Sequence, residues 1–131
     1  MRKLWMMTAL MIMPAAALAA GAEGVWKTQA NDAGGYLEVT VGPCAGDASK
    51  TCGVVSKAFK AGAEDPAYPY LGKPIIENMS SDGEGRYSGG TIFDPENGKT
   101  YDAKLSLKGG GLDVEGCVAF ICQGEMWSRV K

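Results

Sequence analysis

Apolar and polar residues alternate with a period of two along most of this chain, and no segment sustains a helical period. In the stretch 36–41, Leu37, Val39 and Val41 fall on one face while the residues between them fall on the other. The stretch 99–108 alternates in the same way, with Tyr101 and Leu105 on its apolar face. This pattern is typical of antiparallel strands that have one buried face and one wet face.

Turn chemistry divides the pattern into about eight strands. Pro95-Glu96-Asn97-Gly98 predicts a four-residue hairpin loop, and Gly109-Gly110-Gly111 predicts the next turn. Gly89-Gly90 lies inside a strand, where a small barrel has to bend. The predicted strands are 25–29, 36–41, 53–60, 75–79, 87–94, 99–108, 112–118 and 122–130, with a turn at 80–85. The chain is therefore expected to form an all-β barrel or sandwich.

The first residues have the pattern of a signal peptide. Arg2 and Lys3 form a basic start, an apolar run follows at 4–13, and Ala17-Leu18-Ala19 provides a small-x-small cleavage site. The apolar run is shorter than the roughly 20 residues that span a bilayer. We expect residues 1–19 to be removed, with cleavage between Ala19 and Ala22, and residues 20–131 to form an exported, periplasmic domain without a membrane anchor.

Composition narrows the class of function. The mature chain of about 110 residues has the size of one domain. Loss of Arg2 and Lys3 leaves 11 basic against 15 acidic residues, which changes the net charge from −2 to −4. A mildly acidic surface argues against nucleic acid and anionic membranes as partners. The chain contains no histidine, which removes His-dependent catalysis and His-ligated zinc. We expect no enzyme activity, no cofactor and no metal.

Four cysteines in an exported domain favour two disulfide bonds. Three connectivities exist, and local pairing is favoured because Cys44 and Cys52, like Cys117 and Cys122, lie where two strand-like stretches meet. A zinc site made by all four thiolates is the alternative, but the spacings do not match paired C-x2-C ligands.

Each disulfide also predicts a strand register. If Cys44 faces Cys52, Val41 lies opposite Val55 and Leu37 lies opposite Phe59. If Cys117 faces Cys122, the opposed pairs are Val114 with Glu125 and Leu112 with Trp127. The second register turns Gln123 and Glu125 inward, as polar groups at a cavity mouth or as an exposed hairpin tip.

The two ends of the mature chain carry a further signal. Gly24-Val25-Trp26 opens the first strand, and Trp127-Ser128-Arg129 closes the last. This combination resembles the lipocalin and calycin barrels, in which the last strand returns beside the first and the arginine lies across the tryptophan at the closed end. The resemblance implies a single antiparallel, lipocalin-like barrel with Arg129 over Trp26.

Longer blocks resemble a bacterial envelope family called domain of unknown function 2147. They are Gly24-Val25-Trp26, Cys44, Cys52-Gly53, Gly72-Lys73-Pro74-Ile75-Ile76, the run 89–101, Gly116-Cys117-Val118 and Trp127-Ser128-Arg129-Val130. The resemblance covers nearly all of the mature chain. It implies a lipocalin-like fold, and it brings no established reaction, substrate or catalytic residue.

Two functions follow from such a barrel, and interior volume distinguishes them. An eight-stranded barrel is just wide enough to be filled by its own side chains or to hold one small ligand. The first function is binding of a small apolar or lipid-like molecule, with the proline- and tyrosine-rich segment 65–74 as an entrance lid. The second is a disulfide-stapled module that binds or inhibits an envelope protein and holds no ligand. The predicted ligand contacts are Leu37, Val39, Tyr68, Tyr70, Tyr101, Leu105 and Val114.

Overall fold

The computed structural model describes residues 21–131, so the predicted signal peptide at 1–19 lies outside the described residues. Every regular element within the described range is a strand. These are β1 Gly24–Lys27, β2 Tyr36–Pro43, β3 Thr51–Lys60, β4 Ala63–Glu64, β5 Pro74–Gly83, β6 Arg86–Asp94, β7 Lys99–Lys108, β8 Gly111–Val118 and β9 Ile121–Arg129. Nothing in residues 21–131 forms a helix long and apolar enough to cross a bilayer.

The strands form a closed antiparallel barrel. The neighbours run in the order β2-β1-β9-β8-β7-β6-β5-β3, and pairing of β2 with β3 completes the ring. The two-residue β4 is added only to the edge of β3. The short strand β1 lies between β2 and β9, since Trp26 is opposite Val39 of β2 on one side and opposite Arg129 of β9 on the other. The predicted single antiparallel barrel of eight strands is confirmed.

The hairpin of β8 and β9 has the predicted register. Its disulfide forms, and the opposed pairs are Cys117 with Cys122, Val114 with Glu125 and Leu112 with Trp127. The bond between Cys44 and Cys52 also forms. All four thiols are therefore used in disulfides and are not available as the thiolates of a zinc site.

The predicted register of β2 and β3 is wrong. Val41 lies opposite Gly53 instead of Val55, because Cys44 is one residue beyond β2 and reaches Cys52 diagonally. The pairing is displaced by two residues, so the inward residues stay inward. The missing side chain at Gly53 makes room at this position for core side chains from both neighbouring strands.

A bulge changes the same pair of strands farther along. Leu37 lies opposite Ala58, not Phe59, and the register shifts between Glu38 and Val39. An alternating pattern does not reveal such an inserted residue, because the faces on either side of the bulge still look regular.

The predicted turn at 80–85 is also wrong in extent. Strand β5 continues to Gly83, and the chain reverses at Glu84 and Gly85 alone, which have φ angles of 58° and 77°. Two consecutive positive φ angles are the geometry of a two-residue type I′ hairpin. The sequence did not predict this two-residue turn, because the first position of a type I′ turn is usually Asn, Asp or Gly and here it is Glu84.

Strands β5 and β6 bend together, as expected from Gly89-Gly90. Asn78 has a φ of 60° and Gly89 a φ of 83°, and the β6–β7 register shifts between Tyr87 and Gly90. A Cβ atom at Gly90 would overlap the backbone of β5 and lie 2.6 Å from the Met79 sulfur. Glycine is therefore required where these two strands come into close contact.

One end of the barrel is filled by its own side chains. Trp26 is fully buried there, and its indole Nε1–H donates to the Ala22 carbonyl over 2.8 Å. The Ala22 N–H in turn donates to the Tyr87 hydroxyl over 2.9 Å. The Arg129 guanidinium lies 4.3 Å from the Trp26 ring centroid and donates to the Glu23 carbonyl over 3.0 Å. This end is closed as the sequence predicts.

Candidate functional site: the open end of the barrel

The opposite end of the barrel contains a cavity of about 1170 Å³ that opens to solvent. Its mouth is surrounded by the β1–β2 loop at 28–35, the β6–β7 turn at 95–98 and the hairpin tip between β8 and β9. Buried and half-buried residues from the strands line the cavity below the mouth. They are Leu37, Ala58, Ile75, Ile92, Tyr101, Val114 and Trp127. The barrel is therefore solid in one half and hollow in the other.

A carboxylate and an indole form a polar contact on this wall. The indole Nε1–H of Trp127 donates to Glu125 Oε2 over 2.7 Å, and the backbone N–H of Gln29 donates to the same oxygen over 3.3 Å. Trp127 is only 3% exposed, so this bond satisfies its donor away from water. Gln123 and Glu125 both line the cavity, and Gln123 remains exposed.

A hydrogen bond crosses the mouth. Asn31 Nδ2 donates to Glu96 Oε2 over 3.0 Å, which joins the β1–β2 loop to the β6–β7 turn from the other side of the barrel. Asn31 Oδ1 accepts from the N–H groups of Ala33 and Gly35 and so holds its own loop in place. Hydrogen bonds of Asn31 therefore hold the β1–β2 loop in shape and connect it to the β6–β7 turn across the mouth.

The segment 65–73 forms part of the barrel wall and not an entrance lid, which corrects the prediction. The Asp65 N–H donates to the Ala58 carbonyl over 2.7 Å, and the Gly72 N–H donates to the Val55 carbonyl over 2.8 Å. Val55 donates back to the Lys73 carbonyl over 3.0 Å. The pairing of β3 with β5 stops at Val54, which lies opposite Pro74. From Val55 to Ala58 the edge of β3 is bonded to the segment instead, so the segment takes the place of a strand.

The two tyrosines of this segment have different positions. Tyr68 lines the cavity, while Tyr70 does not and packs with its ring centroid 5.2 Å from that of Phe93. Burial raises the pKa of Tyr68 above its ordinary value of 10.0, with smaller contributions from Tyr70 and from the carboxylates of Glu96 and Asp94. Tyr68 is therefore a neutral hydroxyl at the edge of the cavity near neutral pH.

The predicted ligand contacts divide into two groups. Leu37, Tyr68, Tyr101 and Val114 line the cavity. Val39 and Leu105 point inward but lie in the filled half, where they are 0% and 1% exposed, and Tyr70 lies outside the cavity. The lining residues not predicted as ligand contacts include Ile92, Glu125 and Trp127.

The cavity has an excess of negative charge. Its ionisable carboxylates and amine are Asp65, Asp94, Glu96, Glu125 and Lys60. The ion pair found among residues 21–131 joins Lys108 and Asp113, away from this cavity. The lining carboxylates accept hydrogen bonds from neutral donors, which leave their charge in place. The potential in the cavity therefore disfavours anions.

Comparison with known proteins agrees with this architecture. A solved structure titled as protein HP1028 from the human pathogen Helicobacter pylori, belonging to the lipocalin family, superposes with a TM-score of 0.62 and 15% identity. The match covers 83% of this chain and 82% of that one, and at this identity it shows the fold alone. No curated protein matches the sequence. The model of a family described as uncharacterized protein conserved in bacteria matches residues 24–129, and the chain therefore belongs to this family, DUF2147.

Proposed function

We propose that this protein binds a small, largely apolar molecule in the open half of its barrel and does not transform it chemically. The observation that carries the proposal is the cavity of about 1170 Å³, whose inner wall is made of aliphatic and aromatic side chains. Ligand sites are typically concave and apolar, with a few polar groups that fix orientation. Glu125 and the neutral hydroxyl of Tyr68 are such groups here.

The cavity fits a ligand with an apolar body and a hydrogen-bond donor. The apolar body would contact Leu37, Ile92 and Val114, and a donor would reach Glu125, whose Oε2 already accepts from Trp127. The excess of carboxylates in the lining favours neutral or cationic molecules over fatty acids and other anions.

The proposed location is the periplasm. Two disulfides are stable in an oxidising compartment and rare in a reducing one. The signal-peptide pattern at 1–19 supports the same location.

The first prediction is that Leu37→Trp blocks ligand binding. Leu37 is half-buried and lines the cavity, so a larger ring at this position fills space that the ligand needs. The neutral dye N-phenyl-1-naphthylamine should bind the wild type in a saturable, one-to-one manner, with quenching of Trp127 emission. The affinity of Leu37→Trp should be at least about tenfold lower, equivalent to about 1.4 kcal/mol.

Thr40→Trp is the matched control for this experiment. Thr40 lies on the same strand but on its exposed outer face, so the same ring added there leaves the cavity unchanged. Equal loss of binding in both variants, or no saturable binding by the wild type, would contradict the proposal. The second outcome would favour the disulfide-stapled module that binds a protein partner through its loops.

The second prediction concerns the charge of the ligand. Decylamine should displace the dye at a concentration about threefold to tenfold below that needed for decanoate, since the cavity carboxylates attract the ammonium and repel the carboxylate. Glu125→Gln should reduce this preference. Glu115→Gln makes the same chemical change on β8, where Glu115 is not part of the lining, and should leave the preference unchanged. Tighter binding of decanoate would contradict the charge argument.

A further inference from the structure

The hairpin tip that connects β8 to β9 is the most apolar exposed surface among the described residues. Phe120 is 95% exposed, Ile121 is 70% exposed and Val118 is 63% exposed. Residues 117–124 contain no charged side chain. Exposed apolar clusters of this kind mark contact sites in soluble domains, whereas single exposed apolar residues do not.

The tip is short and is cross-linked at its base. The disulfide between Cys117 and Cys122 lies directly below it, and the reversal uses only Ala119 and Phe120. Ala119 has a φ of 55°, which is a strained conformation for alanine and is maintained by the closed hairpin. The short, cross-linked hairpin therefore presents Phe120 to solvent, where it is 95% exposed.

The tip is also part of the cavity mouth. Val118 and Ile121 both line the cavity, so a partner that contacts the tip also lies against the entrance of the cavity. A small apolar molecule that dissolves in lipid would then pass from the acyl chains to Val114 and Trp127 without crossing open water.

We propose that this tip inserts into the surface of a bilayer made of neutral lipids and places the cavity mouth against the membrane. Three side chains on a convex turn present far less area than the about 800 Å² per partner of a stable protein interface. A fluid bilayer accepts a protruding phenylalanine without a preformed pocket, and it gains from each apolar side chain that leaves water.

Charge decides which bilayer fits. The mouth beside the tip carries Asp94, Glu96 and Glu125 against Lys60. An anionic surface would repel these carboxylates, so insertion depends on the apolar side chains alone. The surface that fits is therefore zwitterionic, such as one of phosphatidylethanolamine and phosphatidylcholine.

Vesicles of phosphatidylcholine and phosphatidylethanolamine test the proposal with the empty protein. The wild type should cosediment with them, and Phe120→Asp should lower the partition coefficient about tenfold or more. Phe120→Trp should retain binding, with a blue-shifted emission that brominated acyl chains quench. Both substitutions are at a position with almost no contacts, so the fold is expected to survive them.

Val130→Asp is the matched control, because Val130 is a 44% exposed apolar residue near the chain end that closes the barrel. It should cosediment like the wild type. Equal loss in Phe120→Asp and Val130→Asp would overturn the proposal, and so would stronger binding to phosphatidylglycerol vesicles. A concentration-dependent dimer that Phe120→Asp abolishes, without vesicle binding by the wild type, would assign the tip to a second copy of the chain. Vesicle binding and dye binding are separate measurements, so failure of one leaves the other unaffected.

Discussion

A Gly90→Ala variant is expected to lose about 3 kcal/mol of folding free energy, although it adds only one methyl group. The added Cβ would overlap the Glu77 carbonyl oxygen and the Asn78 backbone, and it would lie 2.6 Å from the Met79 sulfur. Methionine can change its rotamer, but the backbone of β5 cannot move without disturbing its pairing with β3 and β6. The strain is therefore expected to stay in the folded state.

Gly42→Ala is the control for this prediction. Gly42 also lies within a strand, and a Cβ built there has no heavy atom within 4 Å. Its change in stability should stay within about 0.5 kcal/mol. In thermal unfolding followed by circular dichroism, the melting temperature of Gly90→Ala should be about 12–24 °C lower than that of the wild type, given about 4–8 °C per kcal/mol for a domain near this size. Similar melting temperatures for the two variants would show that β5 and β6 do not need their close contact.

The alternating pattern predicted the faces of the strands but not the height of each residue along the barrel axis. Leu37 and Val39 point to the same interior, yet Leu37 lines the cavity and Val39 is in the core. Val114 and Leu105 differ in the same way. Height depends on strand tilt and stagger, which are properties of the whole closed ring and not of one strand. Inward residues were therefore predicted correctly as a class, while their division into core and cavity was not.

Registers were predictable only where a covalent bond marked them directly. Cys117 and Cys122 are opposed, so the pairing of β8 with β9 followed by counting from the disulfide. Cys44 lies outside β2, and the bulge near Val39 adds a second displacement, so the same counting failed for β2 and β3. A bulge is selected by packing around the ring, which a single strand pattern does not contain.

The segment 65–73 shows why a loop composition misled the functional prediction. Its prolines and tyrosines suggested a loop that covers the cavity as an entrance lid. Its backbone instead bonds to β3 at Val55 and Ala58, and its Tyr70 packs on Phe93 of β6. It takes the place of a strand where β5 is too short to reach the open end of the barrel.

Trp26 lies in the filled half of the barrel and is fully buried. Trp26→Ala is expected to lower the free energy of unfolding by about 3–5 kcal/mol. Truncation of a fully buried indole leaves a cavity that the surrounding side chains cannot fill. It also leaves the Ala22 carbonyl without its donor and removes the surface on which Arg129 lies. Ser128→Ala, at an exposed position of β9, should stay within about 0.5 kcal/mol of the wild type.

Arg129→Ala tests the closure itself and should lose about 1–2 kcal/mol, from the cation over the Trp26 ring and from the bond to the Glu23 carbonyl. Arg129→Lys should recover only part of this loss, since an ammonium lacks the planar fork that contacts ring and carbonyl together. In a double-mutant cycle measured by urea unfolding, Trp26→Ala and Arg129→Ala should be non-additive by about 0.5–2 kcal/mol. Additive losses would mean that the two residues stabilise the barrel independently, and that the arginine does not close it through the tryptophan. The expected coupling follows from geometry, because Trp26 and Arg129 are the residues at which β1 and β9 meet to complete the ring.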